Sequence, residues 1–218
     1  KNFDKLVERT KNRPIASGKV SVKLASFYSF VLCGIAFLVL INFNFFTIWM
    51  ALLSMPLAFS YPLMKRFTYW PQLFLGITFN YGLILGWVCI KNQIELVPFL
   101  LYLGAIFWTL GFDTIYGYQD IKDDEIIGVK STSIKFKNNP KYLISVCYII
   151  FILSLIFTGT LMNLNLIYFV LLIPIIFHLV KYQIINLMIS SPDNCLKIFK
   201  SNNFLGFLIF LSFVLGKI

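Results

Sequence analysis

The apolar residues of this chain fall into seven long runs, separated by short polar breaks. A hydrocarbon core of about 30 Å takes roughly 20 apolar residues in a helix. Backbone groups in lipid must also be satisfied within a helix or a closed barrel. The runs have helical length, and they predict membrane-spanning helices near 22–41, 45–60, 71–90, 95–118, 141–161, 165–187 and 201–217, the second able to continue toward Met64. The breaks fall at 42–44, 61–62, 91–93, 119–140, 162–165 and 190–194. No internal repeat and no separate soluble domain interrupts them. The reading is one domain over 1–218, an all-α polytopic membrane protein folded as a transmembrane helix bundle.

Charge fixes the orientation. Counted by alternate loops, seventeen Lys and Arg lie on one side of the membrane, while Lys91 and Lys217 lie on the other. The positive-inside rule places the first set in the cytoplasm or on the equivalent side of an organelle. Dropping one helix would scramble that sorting, so the charges support the helix count. The net charge of +10 is then a topology signal with attraction for anionic headgroups. Nucleic acid is excluded as a partner because the cations are divided among loops.

Composition agrees with a membrane protein. Hydrophobic residues make up 59% and charged ones 13%, where a soluble domain carries about 25% charge. Cys33, Cys89, Cys147 and Cys195 have neither metal nor redox spacing and read as buried thiols. The first 23 residues are polar and basic, unlike a cleavable signal peptide. The chain opens on Lys1 rather than Met, and it is expected to be a fragment.

Acid is scarce and concentrated. Of nine Asp plus Glu, five fall between Asp113 and Glu125, in Gly111-Phe-Asp-Thr-Ile-Tyr-Gly-Tyr-Gln-Asp-Ile-Lys-Asp-Asp-Glu125. Carboxylates near a bilayer are retained mostly for function. At i, i+7 and i+11, Asp113, Asp120 and Asp124 differ by about 20° around a continuous helix of 3.6 residues per turn, so they share a face if the helix runs through them. Converging oxygens at a membrane edge suit Mg²⁺, which in turn holds phosphates. Two more polar segments lie on the same side: Asp4-Lys-Leu-Val-Glu-Arg-Thr-Lys-Asn-Arg-Pro-Ile-Ala-Ser-Gly18 and Tyr61-Pro-Leu-Met-Lys-Arg-Phe-Thr-Tyr-Trp-Pro-Gln72. Carboxylates for a cation, with Arg and Lys for phosphate oxygens, make a diphosphate cradle. Apolar helices beneath it would receive a long hydrocarbon tail.

Together these segments resemble the UbiA superfamily of membrane prenyltransferases, most closely its 4-hydroxybenzoate polyprenyltransferases. Asp120-Ile-Lys-Asp-Asp124 matches the family's second D-x-x-x-D motif, preceded by the D-x-x-Y of Asp113 and Tyr116 and followed by Lys130-Ser-Thr132. Val7-Glu-Arg-Thr-Lys-Asn-Arg-Pro-Ile-Ala-Ser-Gly18 matches the tail of the first motif, and Asp4 falls on its last Asp. Tyr61-Pro62, Met64-Lys-Arg66, Thr68, Pro71-Gln72 and Gly76 match the linking segment. The resemblance implies a nine-helix fold of which seven helices are present, the first two being expected upstream of Lys1 with the rest of the first motif.

The resemblance also implies the reaction. A polyprenyl group passes from polyprenyl diphosphate to the ring of 4-hydroxybenzoate, in ubiquinone synthesis, with Mg²⁺ and in contact with membrane lipid. No protein partner is called for. Asp120 and Asp124 would bind metal, with Asp4 at a second ion. Arg9, Arg13, Lys65, Arg66 and Lys130 would meet the pyrophosphate or the substrate carboxylate, and Thr68 and Tyr116 would hydrogen-bond either. Asp113 would help bind metal or take the phenolic proton. Asp123 and Glu125 are read as turned away and solvated. Asn80 faces the cavity or bonds a neighbouring helix, and His178 packs in an apolar helix. Haem, naphthoate or homogentisate as acceptor, a truncated inactive chain, and a carrier or channel are the competing readings.

Overall fold

The computed structural model describes residues 10–218. Asp4 and Arg9 lie outside the described residues. Among the described residues, seven helical segments have the length and apolarity to cross a membrane: Val22–Leu40, Phe45–Phe67, Pro71–Lys91, Leu96–Ile127, Pro140–Leu161, Leu166–Ile185 and Pro192–Lys217. We call these spans 1 to 7. Their helices are α1 (Val22–Leu40), α2 (Phe45–Ser60), α3 (Met64–Phe67), α4 (Pro71–Asn80), α5 (Gly82–Lys91), α6 (Leu96–Gly117), α7 (Ile121–Ile127), α8 (Thr132–Lys135), α9 (Pro140–Leu161), α10 (Leu166–Phe177) and α11 (Pro192–Lys217). Here α8 is a short turn in the loop between spans 4 and 5.

The polar breaks end helices for identifiable reasons. Asn44 caps α2 by accepting from the Thr47 N–H, and its amide donates to Val88 and Cys89 carbonyls across to α5. Asn92 and Asn163 turn the chain at positive φ, which Asn tolerates better than most residues. Asn165 caps α10 by accepting from the Ile167 N–H.

Three boundaries differ from the periodicity. Span 2 runs on to Phe67 through a 3-10 turn at Tyr61–Leu63. Span 4 runs on to Ile127 through a 3-10 turn at Tyr118–Asp120. Span 7 begins at Pro192, not near 201, because Ser191 caps the Asn194 N–H and proline takes the first turn. At 26 residues α11 is about 39 Å long, so its first turns extend beyond the hydrocarbon, where lysines are tolerated.

The packed core lies among spans 4 to 7. Leu110, Ile115, Ile144, Tyr148, Phe151, Leu155, Tyr168, Ile175 and Leu205 are its buried centre. Helices α6 and α9 touch closely because α6 presents glycines to α9. A Cβ on Gly104 would strike Ser154, and one on Gly111 would strike the Tyr148 ring. By contrast α1 carries no buried residue. Cys147 and Cys195 are buried as expected, whereas Cys33 is exposed on α1, since among the described residues no helix covers that segment.

Candidate active site

The loop after span 2 and the loop after span 4 are fastened to each other at the basic face. The Lys130 N–H donates to the Lys65 carbonyl at 2.9 Å. The Lys130 ammonium donates to the Phe67 carbonyl at 3.3 Å and lies 5.5 Å from the centre of the Tyr69 ring. The Thr132 N–H donates to Gln72 Oε1 at 3.0 Å. Thr132 Oγ1 then meets Thr114 Oγ1 at 2.6 Å, and Ser133 Oγ donates to the Thr114 carbonyl at 2.8 Å. Gln72, Thr114, Thr132 and Ser133 are all buried. The second and third predicted segments are thus joined by a buried polar chain beside Asp113. Gly117 permits the approach, because a Cβ there would strike Ser133 Oγ.

Span 4 delivers the acids in two groups. The helix does not run through them unbroken as the 3.6-residue spacing assumes. Residues in a 3-10 turn advance roughly 120° rather than 100°, so three of them shift the phase by about 60°. Asp113 therefore sits on α6, while Asp120 closes the turn and Asp124 lies on α7. Asp124 is buried, at 8% exposure. Gly128, at φ 76°, ends α7 with its N–H on the Asp124 carbonyl, and the Val129 N–H donates there too. This reversal sends the chain back toward Lys130. Among the described residues no three His, Cys, Asp or Glu side chains gather as a metal group. Two carboxylates suffice for Mg²⁺ when phosphates complete its shell, and an all-oxygen pair suits that ion.

The remaining predicted residues are placed as follows. Lys65 and Arg66 are exposed on α3, and Arg13 is exposed on the first loop. On that loop Thr10 and Ala16 are buried. Thr68 Oγ1 accepts from the Trp70 N–H at 3.2 Å, which spends one lone pair on its own turn. The Tyr116 ring lies 4.3 Å from that of Phe199 on α11. Glu125 is exposed and paired with Lys137 at 2.6 Å, away from the buried Asp124. Asn80 donates to Thr109 Oγ1 and the Ala105 carbonyl, a bond between spans 3 and 4. His178 stacks on Tyr182 and meets Gln183.

Tyr61 and Gln72 were missed as individual site residues. Tyr61 lies within reach of the Asp113 charge. The signal for both was a polar residue beside proline at a helix end on the basic face.

Residues 1–214 match the family described as the UbiA prenyltransferase family. The chain is 41% identical to the mitochondrial 4-hydroxybenzoate polyprenyltransferase of Rattus norvegicus, covering 100% of this chain and 58% of that protein. It is 40% identical to 4-hydroxybenzoate geranyltransferase 1 of Lithospermum erythrorhizon, covering 100% of this chain and 71% of that one. The chain thus spans little more than half the length of the mitochondrial relative. Among solved structures, a UbiA homologue from Aeropyrum pernix K1 superposes with a TM-score of 0.80 at 22% identity, over 100% of this chain and 81% of that one. A digeranylgeranylglyceryl phosphate synthase superposes with a TM-score of 0.70 at 16% identity, over 98% of this chain and 78% of that one. Both are likenesses of fold.

Proposed function

The chain belongs to the UbiA prenyltransferase family, and from that premise we propose that it transfers a polyprenyl group from a polyprenyl diphosphate to the ring of 4-hydroxybenzoate. The observation that carries the reading is the buried fastening of the Lys65–Gln72 segment onto the Lys130–Thr132 segment, beside the acids of span 4. Identity of about two in five to 4-hydroxybenzoate polyprenyl- and geranyltransferases supports the acceptor.

In the reaction the allylic carbon–oxygen bond breaks and the pyrophosphate leaves with the electron pair. A ring carbon beside the hydroxyl forms the new bond and then loses its proton. Mg²⁺, held by Asp120 and Asp124, would supply positive charge to the leaving group when bound. Lys65, Arg66, Arg13 and Lys130 meet the phosphate oxygens, Arg9 would join them, and Asp4 would hold a second Mg²⁺. Lys130 is held by its carbonyl bond, so less reorganisation is needed when charge moves onto the pyrophosphate.

The depth of Asp113 separates its role. Helix α6 has 22 residues and is about 33 Å long, enough to cross the hydrocarbon. Asp113 lies four residues, roughly 6 Å, inside its end, while Asp120 and Asp124 lie past it. Asp113 accordingly faces the acceptor and takes the phenolic proton, and the proton shed later by the ring carbon restores the hydroxyl. Tyr61 lies within reach of the Asp113 charge, and Tyr116 and Thr68 are hydrogen-bond partners of substrate. Apolar spans below exclude water from the allylic cation. The Lys-rich loops, and the site with them, face the cytoplasm in a bacterial inner membrane or the matrix in a mitochondrion.

Membranes holding the chain are assayed with 4-hydroxybenzoate, polyprenyl diphosphate and Mg²⁺. Prenylated product is expected, and Asp120→Asn or Asp124→Asn should lower turnover on the order of a hundredfold. Full turnover in both variants would refute the metal assignment. Faster prenylation of a naphthoate or homogentisate in the same membranes would refute the acceptor.

A further inference from the structure

At the basic face, on another side of span 7 from the candidate active site, the structure holds a crevice of about 470 Å³. Tyr182, Ile185, Asn186, Met188, Lys197 and Ile198 line it, together with Asn194. Phe199 contacts Tyr116 and Phe112 of span 4. Residue 197 lies two positions away, about 200° around the helix. Lys197 is therefore directed away from Phe112 and Tyr116.

The walls are built rather than loose. Asn194 staples the connecting loop, with its Oδ1 accepting from the Met188 N–H at 2.9 Å and its Nδ2 donating to the Asn186 carbonyl at 3.3 Å. The Tyr182 wall belongs to a π-helix at His178–Ile185. Buried Gln183 anchors it, bonded to Tyr148, His178 and Asn202. A wide turn of this kind costs regular hydrogen bonds and recurs at functional sites.

The crevice is basic at its mouth and apolar along its flank. Lys197 lines it, and the Lys141 ammonium sits 3.0 Å from the carbonyl of Ile185, another lining residue. Asp193, one turn before Lys197 and exposed, is the acid nearest in sequence. Ile185 and Met188 are exposed at the lip, and Phe177 and Ile173 continue as an exposed apolar stripe, about two and three turns back along span 6. The Lys181 ammonium lies over the Phe177 ring at 5.1 Å.

We propose that this crevice binds an anionic phospholipid. Its phosphate is held by Lys197 and Lys141 with the Tyr182 hydroxyl and the Asn186 amide, and its acyl chains lie along Phe177 and Ile173. Basic clefts between spans on the cytoplasmic side take acidic headgroups for this electrostatic reason. The combination of cations above an apolar stripe fits a lipid better than a free anion.

The test is native mass spectrometry of the intact chain released from micelles holding equal phosphatidylglycerol and phosphatidylcholine. Preferential retention of phosphatidylglycerol is expected. Lys197→Gln should lower it roughly fivefold and Lys141→Gln/Lys197→Gln on the order of thirtyfold. Ile185→Glu, at an exposed lip position that the fold tolerates, should lower it as well. Neutralising Lys19 and Lys23, on the same face but elsewhere, should leave retention unchanged. Unaltered retention in the double variant overturns the proposal. So does an equal loss in the Lys19/Lys23 control, which means general surface attraction, or displacement by inorganic phosphate, which means a free-anion site.

Discussion

Gln72 is the residue on which the join between the two loops turns. Its carbonyl oxygen satisfies the buried N–H of Thr132, which stands in the first turn of α8 and has no acceptor within that helix. A buried donor left without an acceptor costs about 1–3 kcal/mol. Gln72→Leu should therefore lower thermal stability in detergent and loosen Lys130 with it. Prenyl transfer should fall more than stability does, because Lys130 is placed through this bond. A variant that loses stability but keeps full turnover would separate the join from the chemistry. Gly128 makes the complementary point. Its φ of 76° suits glycine, and a Cβ there meets open space. Gly128→Ala should thus cost only about 1 kcal/mol of backbone strain, read as a small drop in melting temperature. Asp120, Asp124 and Lys130 were legible as candidates from residue type and spacing. Gln72 was not, because what gives it importance is a partner sixty residues away.

At the scale of elements, span 4 is organised by two devices. Glycines at 104 and 111 bring α6 against α9, and a 3-10 turn re-aims the acids that follow. In lipid, helices associate by close packing, not by the hydrophobic effect, so the glycines matter more than the Leu and Ile around them. Gly111→Val should drive α6 off Tyr148 and destabilise the chain by several kcal/mol. Unfolding in detergent would measure that loss, and an unchanged transition would show that α9 can move aside.

Periodicity found span 4 and placed its acids on one face. The 3-10 turn escaped it because the turn residues Tyr118, Gln119 and Asp120 carry no helix-breaking signature. The π-helix in span 6 was equally silent. It exists because Gln183 reaches Tyr148 and Asn202 on neighbouring spans, a tertiary demand on an otherwise ordinary apolar run. Span 7 was read too short for a related reason. Its first turns are polar, and an apolar window discards residues that stand in headgroups and water.

The whole molecule is an integral membrane protein with a lopsided core. Spans 4 to 7 hold nearly all the large buried side chains, while α1 exposes Phe27, Phe30, Leu32, Leu38 and others around its circumference. The alternation of spans makes a topological prediction. With the native cysteines replaced by serine, a cysteine at position 66 should react with a membrane-impermeant thiol reagent only from the basic face, and one at 163 only from the other. Labelling of both from one side would refute the alternation on which the Lys and Arg sorting rests.

Seven spans and the family were determined by the sequence itself, because length, apolarity and short motifs act locally and need no partner. The acidic run and its basic neighbours were legible for the same reason, since scarce charges in an apolar chain stand out. Tertiary structure alone decided which loops meet, where span 4 breaks its helix, and which polar side chains are spent on neighbours. Those outcomes depend on hydrogen-bond partners and close approaches between residues far apart in the chain, and no local pattern encodes them.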